Sequence, residues 1–311
     1  MLMITQSEIE RLLAPSDYID LIEDAFAAHA RGETSPSRLS HLDSPPGEFH
    51  IKAAGIGGVV AVKIGACFYD RPATLGLPSI VGVIALFDAA NGQPLLFLES
   101  ATVTRLRTAA ATAVAVRHLA VPDATTLAVL GTGAQAAAHI AAVREVRPIE
   151  RILVWGRDAA KTARFAAQHS AEATGTPAEA ARQASVVVTL TPSTDPYLGL
   201  RDVRPGTLVA AVGSDAPAKR ELHDDLLAAA TLITDVTHQC VEVGELHHRP
   251  QTPVKAELGE IVLGTKTGRE HADDLVVFDS TGTAVQDVAA AQALYAAAMK
   301  NGAGRPLPLW E

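Results

Sequence analysis

This sequence predicts an α/β fold: a doubly wound parallel sheet joined to a second region of α+β character. Three observations carry that prediction. The segment LAVLGTGAQA (127–136) passes from a short apolar run through two glycines into a small-residue helix start. From 121 to 283, strand-like and helix-like stretches alternate, the pattern of βαβ units. Before residue 100, strand-like stretches instead follow one another across glycine turns and short loops, as hairpin-connected strands do.

Taken in order, Ser7 and Glu10 form a capping-box pattern that opens a helix through Leu13. A second helix is expected over 17–29, where Ile19, Ile22, Ala25 and Phe26 make an apolar stripe. A polar turn at 35–37 ends the helical period. Strands are expected at 49–55, 59–67 and 79–88, separated by Gly57-Gly58 and by the loop 70–76. An alanine-rich helix fills 102–119, and Val121-Pro122-Asp123 breaks it. Strands then fall at 125–130, 151–155, 185–190, 207–213, 231–235 and 275–279, and a last helix runs over 284–300 to the Asn301-Gly302 stop. These elements predict one domain at 121–283 and another at 1–120 with 284–311, to which the last helix returns. No internal repeat or disordered tract interrupts them.

The glycine segment has a chemical meaning. Gly131, Gly133 and Ala136 have the spacing of the Rossmann-type dinucleotide fingerprint: a tight turn, a close backbone approach to pyrophosphate, and close helix–strand packing. A pyrophosphate would lie on the N–H groups of the helix N-terminus. Where NAD enzymes place an acid for the ribose 2′-hydroxyl, this chain has Gly156 and Arg157. A guanidinium suits a 2′-phosphate and favours NADP over NAD; the other reading leaves Arg157 in solvent and turns Asp158 to the ribose.

Composition limits the remaining classes. The 311 residues suffice for two domains, and a net charge of −9 argues against nucleic acid or an acidic membrane as partner. Two cysteines, Cys67 and Cys240, suit a reducing compartment with both thiols free. Glu8 and Glu10 precede any basic residue, and no apolar run approaches the ~18 residues of a spanning helix, so a cytoplasmic chain is expected.

Several polar side chains are candidates for chemistry. The strand ending at Val212 delivers Gly213-Ser214-Asp215 to the sheet's carboxyl end, where ligands of open α/β sheets bind. Asp215 there is either an acid/base for a substrate nitrogen or a cap of the following segment. A two-residue hairpin at Gly57-Gly58 sets Lys52 opposite Lys63. Two ammonium groups about 5 Å apart repel by roughly 3 kcal/mol at an effective dielectric of 20. The repulsion is relieved by an anion between them, by one neutral lysine, or by both splaying into water; an anion such as a substrate carboxylate is the expectation. Arg107, with Arg38, extends this cationic group. His223 and His247-His248 lack metal-ligand spacing and HExxH is absent, so no metal is expected.

Together, VTRLRTAAATAVA (103–115), VLGTGAQA (129–136), VGSDAPAKRELH (212–223) and FDSTG (278–282) make the chain resemble the ornithine cyclodeaminase/mu-crystallin family over nearly its whole length. The resemblance implies a homodimer of paired N-terminal sheets, with 1–120 and 284–311 as substrate-binding and dimerisation domain. It implies that Arg38, Lys63 and Arg107 hold a substrate carboxylate and that Asp215, with Lys63, is catalytic. Ala134, Gln135, Thr191, Val212, Gly213, Ser214, Lys219 and Ser280 are implied cofactor contacts, with Ser79 beside the nicotinamide. Two positions depart from the cyclodeaminase pattern, which has an acid near Gly156 and an apolar residue at Lys52; some reductase-like members carry lysine in a similar FHxKAA context. Members include cyclodeaminases, alanine-type dehydrogenases, cyclic imino acid reductases and hormone-binding proteins. The expectation is an NAD(P)H-dependent imino acid reductase, acting on a ketimine or a cyclic imine such as pyrroline-2-carboxylate.

Overall fold

The computed structural model describes residues 1–68, 70–76 and 78–310. In chain order its first elements are β1 (Leu2–Ile4), α1 (Gln6–Leu12), α2 (Pro15–Ala30), β2 (Arg38–Ser44), β3 (Gly47–Ile56), β4 (Val59–Cys67), α3 (Arg71–Thr74), β5 (Ile80–Asp88), β6 (Pro94–Glu99) and α4 (Ser100–Leu119). There follow β7 (Thr126–Leu130), α5 (Ala136–Val146), β8 (Arg151–Trp155), α6 (Ala159–Gln168), β9 (Glu172–Ala173), α7 (Pro177–Ala181), β10 (Val186–Thr189) and β11 (Leu208–Ala211). The chain ends with α8 (Asp224–Ala229), β12 (Thr231–Thr234), α9 (Thr237–Val243), β13 (Ala256–Glu257), α10 (Leu258–Val262), β14 (Val276–Asp279), α11 (Ala284–Asn301) and β15 (Arg305–Pro306). Two compact units result: Met1–Thr108 with Thr283–Glu311, and Ala109–Gly282.

In the first unit a mixed seven-stranded sheet has the order β15-β1-β6-β5-β4-β3-β2. Gly57 and Gly58 both have positive φ, 57° and 82°, which a tight type I′ hairpin demands. The turn fixes the register Ile56↔Val59, Ala54↔Ala61 and Lys52↔Lys63. Helix α11 packs on β3, β4 and β5 and against α2. Ala54, Ala61, Ile84 and Leu86 are buried on the sheet.

Some elements differ from the sequence expectation. The first helix is capped by Thr5, not Ser7: the Glu8 carboxylate accepts from the Thr5 amide at 2.9 Å and its hydroxyl at 2.7 Å. The second helix starts earlier, at Pro15, whose missing N–H costs nothing in a first turn. Strand β2 occupies the region after the expected turn. Its sequence, RLSHLDS, lacks an apolar alternation because it is an edge strand with much of its surface exposed. Strand β6 was also not expected; its proline stands at the first residue, where a strand tolerates the loss of a donor.

The second unit holds an all-parallel eight-stranded sheet, β13-β12-β14-β11-β10-β7-β8-β9. Strands β7, β10, β11 and β14 are buried nearly throughout, so they read as continuous apolar runs rather than alternations. The chain winds outward one way from β7 through β8 to β9 and the other way through β10 and β11. The β7–β10 boundary is therefore the topological switch point, where a crevice opens at the carboxyl ends. Gly131 sits there with φ 123°; a Cβ would come within 2.8 Å of the Leu190 carbonyl oxygen, so only glycine fits. No helix of the described residues is long and apolar enough to cross a membrane. Cys67 and Cys240 are both buried.

Candidate active site

The first unit buries positive charge. Lys52 and Lys63 face one another across β3 and β4, each 5% exposed, and Arg107 from α4 is 4% exposed. Part of that charge is answered from within: Asp287, in the first turn of α11, ion-pairs with Lys63 at 2.7 Å and with Arg107 Nε at 3.0 Å. Arg107 Nη1 also donates to Gln286 Oε1 at 2.8 Å, and Lys63 Nζ reaches Thr104 Oγ1 at 3.4 Å. Burial pushes Lys63 down to about 7; Asp287 opposes the fall, while Arg107 and Lys52 add to it. Burial alone would raise Asp287, but Lys63, Arg107 and Lys52 together hold it below its ordinary value. The Gln286 Nε2 and Thr108 Oγ1 atoms beside this group are buried with no protein partner. This chemistry suits a bound carboxylate.

Arg38 is not brought into the group. It pairs with Ala53, one residue off Lys52 and hence on the other face of the sheet, and it is exposed. Ser79 is half-buried just before β5, its carbonyl accepting from the Phe68 amide at 2.8 Å.

In the second unit a cavity of about 260 Å³ opens at the switch point, lined by Gly131, Thr132 and Gly133, by Trp155 to Asp158 and Lys161, and by Leu190 to Ser193 with Tyr197. The residues fit a dinucleotide. A Cβ on Gly133 would meet nothing within 4 Å, so the backbone there is open to close approach. Gln135 Oε1, beside the exposed Ala134, is buried without a partner. Asp158 caps α6, its side chain accepting from the Lys161 amide at 2.9 Å, while Arg157 and Lys161 remain exposed at the cavity.

Beyond β11, Val212 to Asp215 lead from the neighbouring strand end. Ser214 is buried and its hydroxyl donates to the Lys219 carbonyl at 3.0 Å. Asp215, about one-third exposed, pairs with Lys219 at 2.5 Å rather than capping a helix. Ser280, after β14, donates to Asp235 at 3.1 Å.

Sequence reasoning missed the group that ties these loops together. The buried Glu221 carboxylate accepts from the Thr189 hydroxyl (2.6 Å), the Thr191 amide (2.8 Å) and hydroxyl (2.7 Å), the Tyr197 hydroxyl (2.7 Å) and the Gly213 amide (2.9 Å). One side chain thus fastens the ends of β10 and β11. Burial raises its pKa and these donors resist the rise.

A family model, that of the ornithine cyclodeaminase/mu-crystallin family, matches residues 1–302. The chain belongs to this family. It is 35% identical to a Δ1-pyrroline-2-carboxylate reductase of Bacillus cereus over 75% of this chain and 76% of that one. Its fold is similar to an archaeal alanine dehydrogenase dimer with bound NAD, at TM-score 0.95 and 29% identity, covering 100% of this chain and 99% of that one. It is also similar to the Thermococcus litoralis Δ1-pyrroline-2-carboxylate reductase in complex with NADH and L-proline, at TM-score 0.94 and 26% identity, covering 99% and 100%. For an ornithine cyclodeaminase/mu-crystallin protein, the unanticipated residues are those whose partners lie far along the chain. Asp287 stands 180 residues from Arg107. Its only trace in the sequence is a Gln-Asp pair in an otherwise alanine-rich helix.

Proposed function

We propose that this member of the family is an NAD(P)H-dependent imino acid reductase, taking a ketimine or cyclic imine that carries a carboxylate. The observation that carries this reading is the buried group of Lys52, Lys63 and Arg107 around Asp287, with donors of Gln286 and Thr108 still unmet. A carboxylate adjoining the C=N bond is bound there, with Arg107 placed to offer a guanidinium fork. When bound to the second unit, the reduced nicotinamide supplies the hydride. Asp215 handles the proton at the substrate nitrogen: as the carboxylate paired with Lys219, it is placed to pass on a proton supplied by the Lys219 ammonium. Lys63, poised at about 7, is a second group able to exchange a proton near neutral pH.

NADPH is the favoured cofactor in this reading. Asp158 is spent on its own helix, whereas Arg157 and Lys161 stand exposed at the cavity to take a 2′-phosphate. Gly131, Gly133, Ala134, Gln135, Thr191, Val212 to Ser214, Lys219 and Ser280 complete the proposed cofactor contacts. A homodimer is the assembly we assign, as the archaeal relative is a dimer, and the cytoplasm is the compartment we assign to it.

The test is turnover. Purified enzyme should oxidise NADPH stoichiometrically with pyrroline-2-carboxylate, read at the nicotinamide absorbance, and Asp215→Asn should lower kcat by about 10²–10⁴-fold. Ammonia release from ornithine with catalytic NAD, and no net NADPH oxidation, would make it a cyclodeaminase instead.

A further inference from the structure

We propose that His41, Glu48 and His50 bind one divalent transition-metal ion of the zinc class. None of the chemistry above uses these residues. His41 on β2 and His50 on β3 are direct cross-strand partners, and Glu48 lies two residues before His50, so all three share one face of the hairpin. Their ligand atoms all lie within 4.8 Å of one another. The His50 Nε2 to Glu48 Oε1 distance is 3.1 Å, and the two imidazoles meet edge to face with ring centroids 4.4 Å apart.

Zinc–nitrogen and zinc–oxygen bonds of about 2 Å in a tetrahedron put donor atoms about 3.4 Å apart. The Glu48–His50 pair already has that spacing, and a small side-chain rotation brings in His41. Two further observations point to a ligand. His41 Nε2 is buried with no protein partner, a cost that a metal bond would remove. Space is also available: Gly65 stands opposite His50 on β4, and a Cβ there would meet nothing nearer than the His50 carbonyl oxygen at 3.9 Å. Two imidazoles and one carboxylate, with a fourth position left for water, is a donor set that zinc, cobalt and nickel accept. Metal-ligand spacing along the chain gives no hint of it, because the donors meet across a hairpin rather than along one helix.

The experiment titrates untagged protein with Co²⁺ and follows the visible absorption of the bound ion, then displaces it with Zn²⁺. One equivalent should bind, and His41→Ala and Glu48→Gln, chosen because neither residue is fully buried, should each weaken binding at least tenfold. His247→Ala, which removes one ring of a second edge-to-face histidine pair, should change nothing. Circular dichroism melts establish that each variant is folded. Binding that His41→Ala and Glu48→Gln leave unchanged, binding lost in His247→Ala, or no stoichiometric binding at all would each overturn the proposal.

Discussion

The two units bury charge of opposite sign and neutralise it by different means. In the first, Lys52, Lys63 and Arg107 converge on Asp287, and charge answers charge. In the second, Glu221, Glu245, Asp235 and Asp279 are buried close together, and neutral donors meet them. Glu245 accepts from the amides of Glu221 and Leu222, Asp279 from those of Glu245 and Leu246, and Asp235 from those of Val236 and Gly282. An ion-paired group can exchange one anion for another, which suits a site that must take in and release a charged ligand. A carboxylate held by backbone amides instead fixes loop geometry, which suits a site that must hold its shape.

The largest effect should follow from breaking the ion-paired group. Asp287→Ala leaves three buried cations without their carboxylate, and a loss of about 3–5 kcal/mol is expected in denaturant unfolding. Adding Lys52→Met should restore part of that loss; strictly additive variants would show that the charges do not interact. On the acidic side, Glu221→Gln turns an amide group toward donors that previously met an acceptor. A smaller loss of about 1–3 kcal/mol is expected, with weaker NADPH binding measured by quenching of Trp155 fluorescence. Unchanged affinity would mean that Glu221 does not position the cofactor loops.

pH should separate the units further, with effects of opposite sign in two successive windows. Burial raises Asp279 to about 7, so between about 4 and 7 the folded state binds more protons than the unfolded one. The second unit should therefore lose stability as pH rises through that window. Lys63 has the reverse sign: its folded pKa of about 7 lies below the unfolded value, so the unfolded chain binds more protons between about 7 and 10. The first unit should gain stability across that range. Hydrogen exchange corrected for intrinsic rates reads β3 and β4 separately from β11 and β14, and parallel trends would refute the contrast. The smallest effect belongs to Arg157→Ala, which should raise KM for NADPH about tenfold and leave KM for NADH unchanged, a difference of about 1.4 kcal/mol.

The two groups were not equally legible. Opposition of Lys52 and Lys63 follows from two glycines and a two-residue period, both local facts. The glycine segment after β7 is likewise local, and its Gly131 and Gly133 line the cavity. Asp287, which also answers Lys63, was not legible beside the lysines because it lies more than two hundred residues further along the chain. Glu221 sat inside a recognised motif, yet nothing in KREL says that five donors converge on the glutamate. Strand β2 was hidden for another reason: an edge strand with polar residues on both faces has no alternation to read. Arg38 shows the cost of that omission, since without β2 its register, and hence its face, had no basis.

Helix α11 gives the molecule an order of assembly. On the ribosome, Lys52, Lys63 and Arg107 emerge long before Asp287, with the whole of Ala109–Gly282 translated in between. The contiguous half can therefore complete its own fold while the earlier-born half waits with an uncovered sheet and unanswered cations. Synthesis of α11 is what covers that sheet, and a nascent chain stalled before Ala284 should remain open to protease there.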